Sequence, residues 1–169
     1  MGLSGVKGDE LATREPAVAP PATAAAARDH ARAVVDAHGR ARGRSPHERD
    51  LIDLLLVVSE LVTNAIRHGG GLVGFEVTPT PDGVRLAVQD RSDVVPPVAY
   101  GTGELPALHQ GSGYGWPLII RLSRRISIER RADGGKTIRV LVPLRLTPEN
   151  GLTRAGRREP PSPFRPAPR

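Results

Sequence analysis

The chain has no cysteine among its 169 residues. That excludes a disulfide framework, a thiolate metal site and a cysteine nucleophile, and it suits a reducing cytoplasm. Aromatic residues amount to 3%, too few for a platform on which the bases of single-stranded nucleic acid could stack. Lysine is nearly missing too: Lys7 and Lys136 are the only two among 24 basic residues. The longest unbroken apolar stretch, Leu54 to Val58, falls far short of the ~20 residues that cross a bilayer. The N-terminus also lacks the basic-then-apolar order of a signal peptide. No membrane association is expected, and the location expected is cytoplasmic.

Glycine and proline are in excess, at 19 and 17 residues, and the net charge at pH 7 is +6. Neither is spread evenly. Residues 1–22 mix Gly, Pro, Ala and scattered charges, and residues 147–169 are rich in proline with five arginines against two glutamates. Neither segment shows an apolar period able to offset the entropy of ordering, so both are expected to be disordered. One domain is expected over 23–146. About half of the net positive charge therefore belongs to the tail, and nucleic acid is not an expected partner.

Within 23–146, Thr23 to about His38 predicts a helix with an apolar stripe through Ala31, Val34 and Val35, stopped by Gly39. Ser45-Pro46-His47-Glu48 reads as the start of a second helix, with Ser45 as N-cap, Pro46 in the first position and Glu48 closing a capping box. This helix runs to His68, where Gly69-Gly70-Gly71 ends it. Leu72 to Thr78 and Val84 to Gln89 predict a hairpin around Asp82-Gly83. A long aperiodic loop from Arg91 to Gln110 follows. Next come a short helix over 113–124 and a second hairpin, Ile126 to Arg131 and Thr137 to Leu144. This order predicts an α+β fold, a two-layer α/β sandwich with helices on one face of a mixed, mainly antiparallel sheet.

Several chemistries fail on spacing. Gly135-Lys136-Thr137 resembles the end of a phosphate-binding P-loop, but Arg130 stands where its first glycine belongs. Gly111-x-Gly113 is followed by Trp116 instead of the third glycine of a dinucleotide fingerprint. Ser112 has Gln110 and Tyr114 where a nucleophile elbow needs glycines. The five histidines, at 30, 38, 47, 68 and 109, show no metal-ligand spacing.

Three features remain. Glu60, Asn64 and His68 recur every four residues and form one helical stripe, which at about 100° per residue faces away from the ladder of Leu51, Leu54, Val58, Val62 and Ala65. A carboxylate there can serve as a general base, and one turn on an amide oxygen can ligate Mg²⁺. A solvated polar face would show the same spacing. Asp90 ends a strand where a lone carboxylate can accept a hydrogen bond from a base amino group. Gly111-Ser112-Gly113-Tyr114-Gly115 opens a helix whose backbone N–H groups could approach phosphates.

In this order the three resemble the nucleotide-binding boxes of the histidine-kinase-like ATPase superfamily, with its Bergerat ATP-binding fold, over about Thr23 to Arg145. The string Ser59-Glu60-Leu61-Val62-Thr63-Asn64-Ala65-Ile66-Arg67-His68 is most similar to the signature helix of the anti-sigma regulatory factors, which are bacterial serine/threonine kinases. Gly134-Gly135-Lys136-Thr137-Ile138 resembles the start of that family's last strand. The resemblance implies ATP and Mg²⁺ as cofactors, with Glu60 as general base, Asn64 as metal ligand and Asp90 as partner of the adenine amino group. Thr137 would be a second contact near the base, Gly111, Gly113 and Gly115 would hold the phosphates, and His68 would line the phosphate side. It further implies an anti-sigma-factor antagonist and a sigma factor as partners, and a possible homodimer. Pro117, early in the third helix, removes a donor that most relatives would keep, and three further features depart from the pattern. Ser92 stands where glycine is frequent, Ser112 where arginine is frequent, and no Lys or Arg lies between Ser92 and Trp116. The last departure leaves a second reading beside the kinase, a non-catalytic ATP-binding partner-switch module, because phosphoryl transfer needs cationic donors.

Overall fold

The computed structural model describes residues 19–95 and 115–148. Most of the expected leader and most of the expected tail lie outside those residues, as does most of the expected lid with Gly111 and Gly113. Nine elements follow in the order α1 (Ala24–Arg40), β1 (Arg44–Pro46), α2 (Glu48–His68), β2 (Leu72–Thr80), β3 (Gly83–Asp90), α3 (Gly115–Leu122), β4 (Arg125–Arg130), β5 (Lys136–Val142) and β6 (Leu146–Pro148). The four long strands form a sheet in the order β2-β3-β5-β4, and every pairing in it is antiparallel. With the helices packed on one face of this antiparallel sheet, the described residues form the expected α+β two-layer sandwich.

Alternation along β3 and β5 creates the two faces. Val84, Leu86 and Val88 pair in register with Val142, Val140 and Ile138, and all six are buried in one cluster with Leu51, Leu54, Val58, Leu61 and Val62 of α2 and Ala31 and Val35 of α1. Each fully buried Leu, Ile or Val contributes about 1.5–3 kcal/mol, so this single layer between sheet and helices holds the domain together. The α3 helix adds Ile119, fully buried, and Trp116, half-buried against the same cluster. Pro117 lies in its first turn, where the missing N–H would have no intrahelical acceptor.

Four local expectations are corrected. Thr23 caps α1 through its hydroxyl, which accepts from the Ala26 N–H at 3.1 Å. Gly39, however, does not stop the helix. It lies inside, where a Cβ would sit 2.6 Å from the Arg44 carbonyl oxygen, so this glycine admits β1 against the helix. Ser45 and Pro46 do not begin α2. They belong to β1, which pairs antiparallel with β6 through Ser45 and Thr147, and the N-cap position of α2 falls to His47, with no side-chain cap bond. The acidic residue near that helix start with an observed partner is Asp50, whose carboxylate accepts from the Arg145 backbone N–H and guanidinium at 2.9 Å each. Finally, β6 carries regular structure to Pro148, two residues past the expected end of the domain.

A buried carboxylate, an orphan amide and a glycine approach

At the C-terminal half of α2 the buried arc is wider than the ladder read from the sequence, because Val57 and Leu61 are also fully buried. Asn64 is one turn beyond them on the same side. The stripe of Glu60 and Asn64 therefore does not face away from the apolar side. It runs along its edge, half-buried, and looks onto the start of α3. A Cβ built on Gly115 would stand 2.5 Å from Glu60 Oε2 and 3.7 Å from Asn64 Nδ2. A side chain at this position would push the Glu60 carboxylate aside, whereas glycine leaves it in place.

Among the described residues Asn64 Nδ2 is buried without a hydrogen-bond partner. An unsatisfied buried amide costs about 1–3 kcal/mol, so a polar atom fixed here without a partner marks a place built for one. An amide offers an acceptor and two donors on opposite arms, so either a ligand oxygen or, with the amide turned over, a cation meets it. This observation fits a nucleotide phosphate and its Mg²⁺ at the mouth between α2 and α3. His68, the last residue of α2, is exposed at the helix end. The final carbonyls there are capped instead by Gly69 and Gly71, whose N–H groups donate to Asn64 and Ala65, with the left-handed conformation taken by Gly70 (φ 69°) and not by Gly69.

Beyond that turn lies Asp90. Its carboxylate packs against Gly69, where a Cβ would meet it at 2.6 Å, and its side chain is almost fully buried. It is not alone, as the sequence reading had it. Lys136 Nζ lies 3.0 Å from both carboxylate oxygens and donates its remaining hydrogen to the Ser92 carbonyl at 3.0 Å, while the Ser92 N–H donates to Asp90 Oδ1 at 2.9 Å. Gly135 (φ 79°) allows this closure, since a side chain there would run into the Asp90 backbone. Its N–H donates to Asp93 Oδ1 at 2.9 Å.

Lys136 is thus the residue that sequence reasoning missed, although the register gives the signal. Asp90 pairs with Lys136, and Gln89 with Thr137, so alternation puts Lys136 on the helix-covered face and Thr137 on the other. The structure brings Glu60, Asn64 and Gly115 together and pairs Thr137 with Gln89, on the sheet face away from Asp90 and Lys136.

Among the described residues no group of three or more His, Asp or Glu is placed to hold a metal ion by itself, and no helix is long and apolar enough to cross a membrane. Comparison with curated proteins returns no match. Residues 20–142 match the family model described as the histidine kinase-like ATPase domain. That stretch begins just before α1, ends with β5 and includes every candidate residue above, and the chain belongs to the histidine kinase-like ATPase domain family.

Proposed function

We propose that the chain is an ATP-dependent serine/threonine protein kinase of the anti-sigma regulatory type, which phosphorylates an anti-sigma-factor antagonist and so governs a sigma factor. The observation that carries the reading is the convergence of Glu60 and the unpartnered Asn64 amide on Gly115. In this reading Glu60 takes the proton from the attacking serine or threonine hydroxyl as its oxygen bonds to the γ-phosphorus and ADP departs. The Asn64 amide oxygen would help to hold Mg²⁺, which when bound would supply charge neutralisation on the phosphate oxygens. Gly115, with Gly111 and Gly113 before it, lets backbone N–H groups reach those oxygens. The hydrogen bonds from Lys136 and the Ser92 N–H go to Asp90 Oδ1, so Oδ2, in ion-pair contact with Lys136, keeps a lone pair for the amino group of adenine.

A second reading is favoured by the engagement of Lys136. That lysine is tied to Asp90 and Ser92, and among the described residues no Lys or Arg bonds to Glu60 or Asn64. A site that binds ATP without such a donor fits a non-catalytic partner-switch module, with nucleotide setting the conformation seen by the bound protein.

One experiment separates the two. The purified protein is mixed with radiolabelled ATP, Mg²⁺ and a candidate antagonist, and Glu60→Ala is run beside it. The kinase reading expects transfer that falls by roughly 10²–10⁴ in the variant, with nucleotide affinity kept. Equal transfer by both proteins, or transfer by neither while ATP still binds, removes the kinase and leaves the switch. If the wild type binds no adenine nucleotide, both readings fail.

A further inference from the structure

The end of the sandwich far from Asp90 holds a cleft of about 330 Å³. It opens where β3 begins and the chain leaves β5. Asp90 and Lys136 are at the opposite ends of the same two strands, seven residue steps along β3, or roughly 23 Å. The cleft is therefore separate from the nucleotide site.

Its floor is apolar, formed by Val35 of α1, Val84 of β3 and Leu144. Its rim is cationic, with Arg42, Arg44 and Arg145 around it and no carboxylate in its lining. The three arginines are not equivalent. Arg145 is compensated by Asp50. Arg42 bonds to no acid among the described residues: its guanidinium donates to the His38 carbonyl and to His38 Nδ1, both at 3.1 Å. Burial and the nearby Arg42 charge hold the His38 pKa below its ordinary value, so at neutral pH this imidazole is an uncharged acceptor that orients Arg42. Arg44 is exposed and has no carboxylate partner among the described residues. Two guanidinium groups without a carboxylate partner among the described residues, that of Arg42 oriented by His38, thus flank an apolar hollow.

That combination selects a ligand class. A bare inorganic anion would leave the floor wet, and an apolar ligand would leave the guanidinium forks unmatched. An acidic peptide satisfies both, because a carboxylate accepts the fork geometry of arginine while a neighbouring aliphatic side chain covers the floor. The rim also includes Arg44 and Leu146 of the β1–β6 ribbon, a sheet of only two strands in which each strand has a partner on one side alone. An extended peptide has a backbone surface to lie along there. We propose that this cleft is a docking site for an acidic, aliphatic segment of a protein partner, read by Arg42 and Arg44.

The probes are a short peptide alternating leucine and glutamate, the same peptide with lysine for glutamate, and inorganic phosphate, each titrated into the full chain labelled with ¹⁵N. The proposal expects saturable amide shifts confined to residues 42–46, 79–84 and 144–146 with the glutamate peptide alone. The double variant Arg42→Glu, Arg44→Glu, whose substitutions replace exposed side chains and whose amide dispersion reports the fold, should bind that peptide about tenfold more weakly or worse. Raising the salt on the wild type should weaken binding independently of any variant. Equal shifts with the lysine peptide, the same shifts with phosphate alone, or no saturable shifts with the glutamate peptide each overturn the proposal. The last result would leave the kinase and switch readings untouched.

Discussion

Asp90 and Lys136 have side chains only 2% and 5% exposed, so each has lost most of its hydration and relies on the other to replace it. A buried pair of this kind adds little net stability, yet removing one partner strands a charge at a cost of about 3–5 kcal/mol. Lys136→Met should therefore lower the unfolding free energy by about that amount, read from urea denaturation. The double replacement Asp90→Leu, Lys136→Met should recover most of it. A single variant as stable as the wild type would mean that the carboxylate finds water or another donor. The same pair explains one limit of reading residues without a structure. Asp90 was legible as a carboxylate at a strand end, but a lysine 46 positions later becomes its neighbour only through the register of two strands that the sequence does not number.

At the scale of elements, the N-terminus of α2 depends on a distant partner. Asp50 in its first turn is held by Arg145 just before β6, and this hydrogen-bonded pair brings the Asp50 pKa down to about 2. A carboxylate with a depressed folded-state pKa stabilises above its unfolded value of 3.8, and that contribution is lost as the pH falls toward 2. The melting temperature of Asp50→Asn should therefore lie below that of the wild type at pH 6, and the gap should close between about pH 4 and pH 2. A gap that stays constant over this range would show that the pair does not link α2 to β6. Long periodic elements were legible: α2 shows its apolar ladder over about four turns, from Leu51 to Ala65, and Asp82-Gly83 marks its hairpin. The short ribbon was not. Three residues give no period, and Ser45-Pro46 satisfies a helix-start pattern equally well, so tertiary pairing with Thr147 decided between them. The stripe of Glu60 and Asn64 was read correctly along the chain and incorrectly around it, because Val57 and Leu61 extend the buried arc to its edge.

For the molecule as a whole, a ligand that binds only the folded state adds RT ln(1 + [L]/Kd) to stability, about 2.7 kcal/mol at a hundred times Kd. ATP with Mg²⁺ should raise the melting temperature accordingly, and Asn64→Ala should abolish most of the increase while leaving the unliganded protein folded. An unchanged increase would show that the amide has no part in holding the nucleotide. The four-stranded sheet also has two open margins, β2 and β4. Pro79 lies in β2 opposite Val84, and the β2–β3 register shifts between Leu72 and Gly74. β4 is short and carries Arg125, Glu129 and Arg130 on exposed positions. Proline, an irregular register and edge charges are the devices that keep sheets from growing into one another. A concentrated solution of this protein is thereby guarded against fibril formation along either margin.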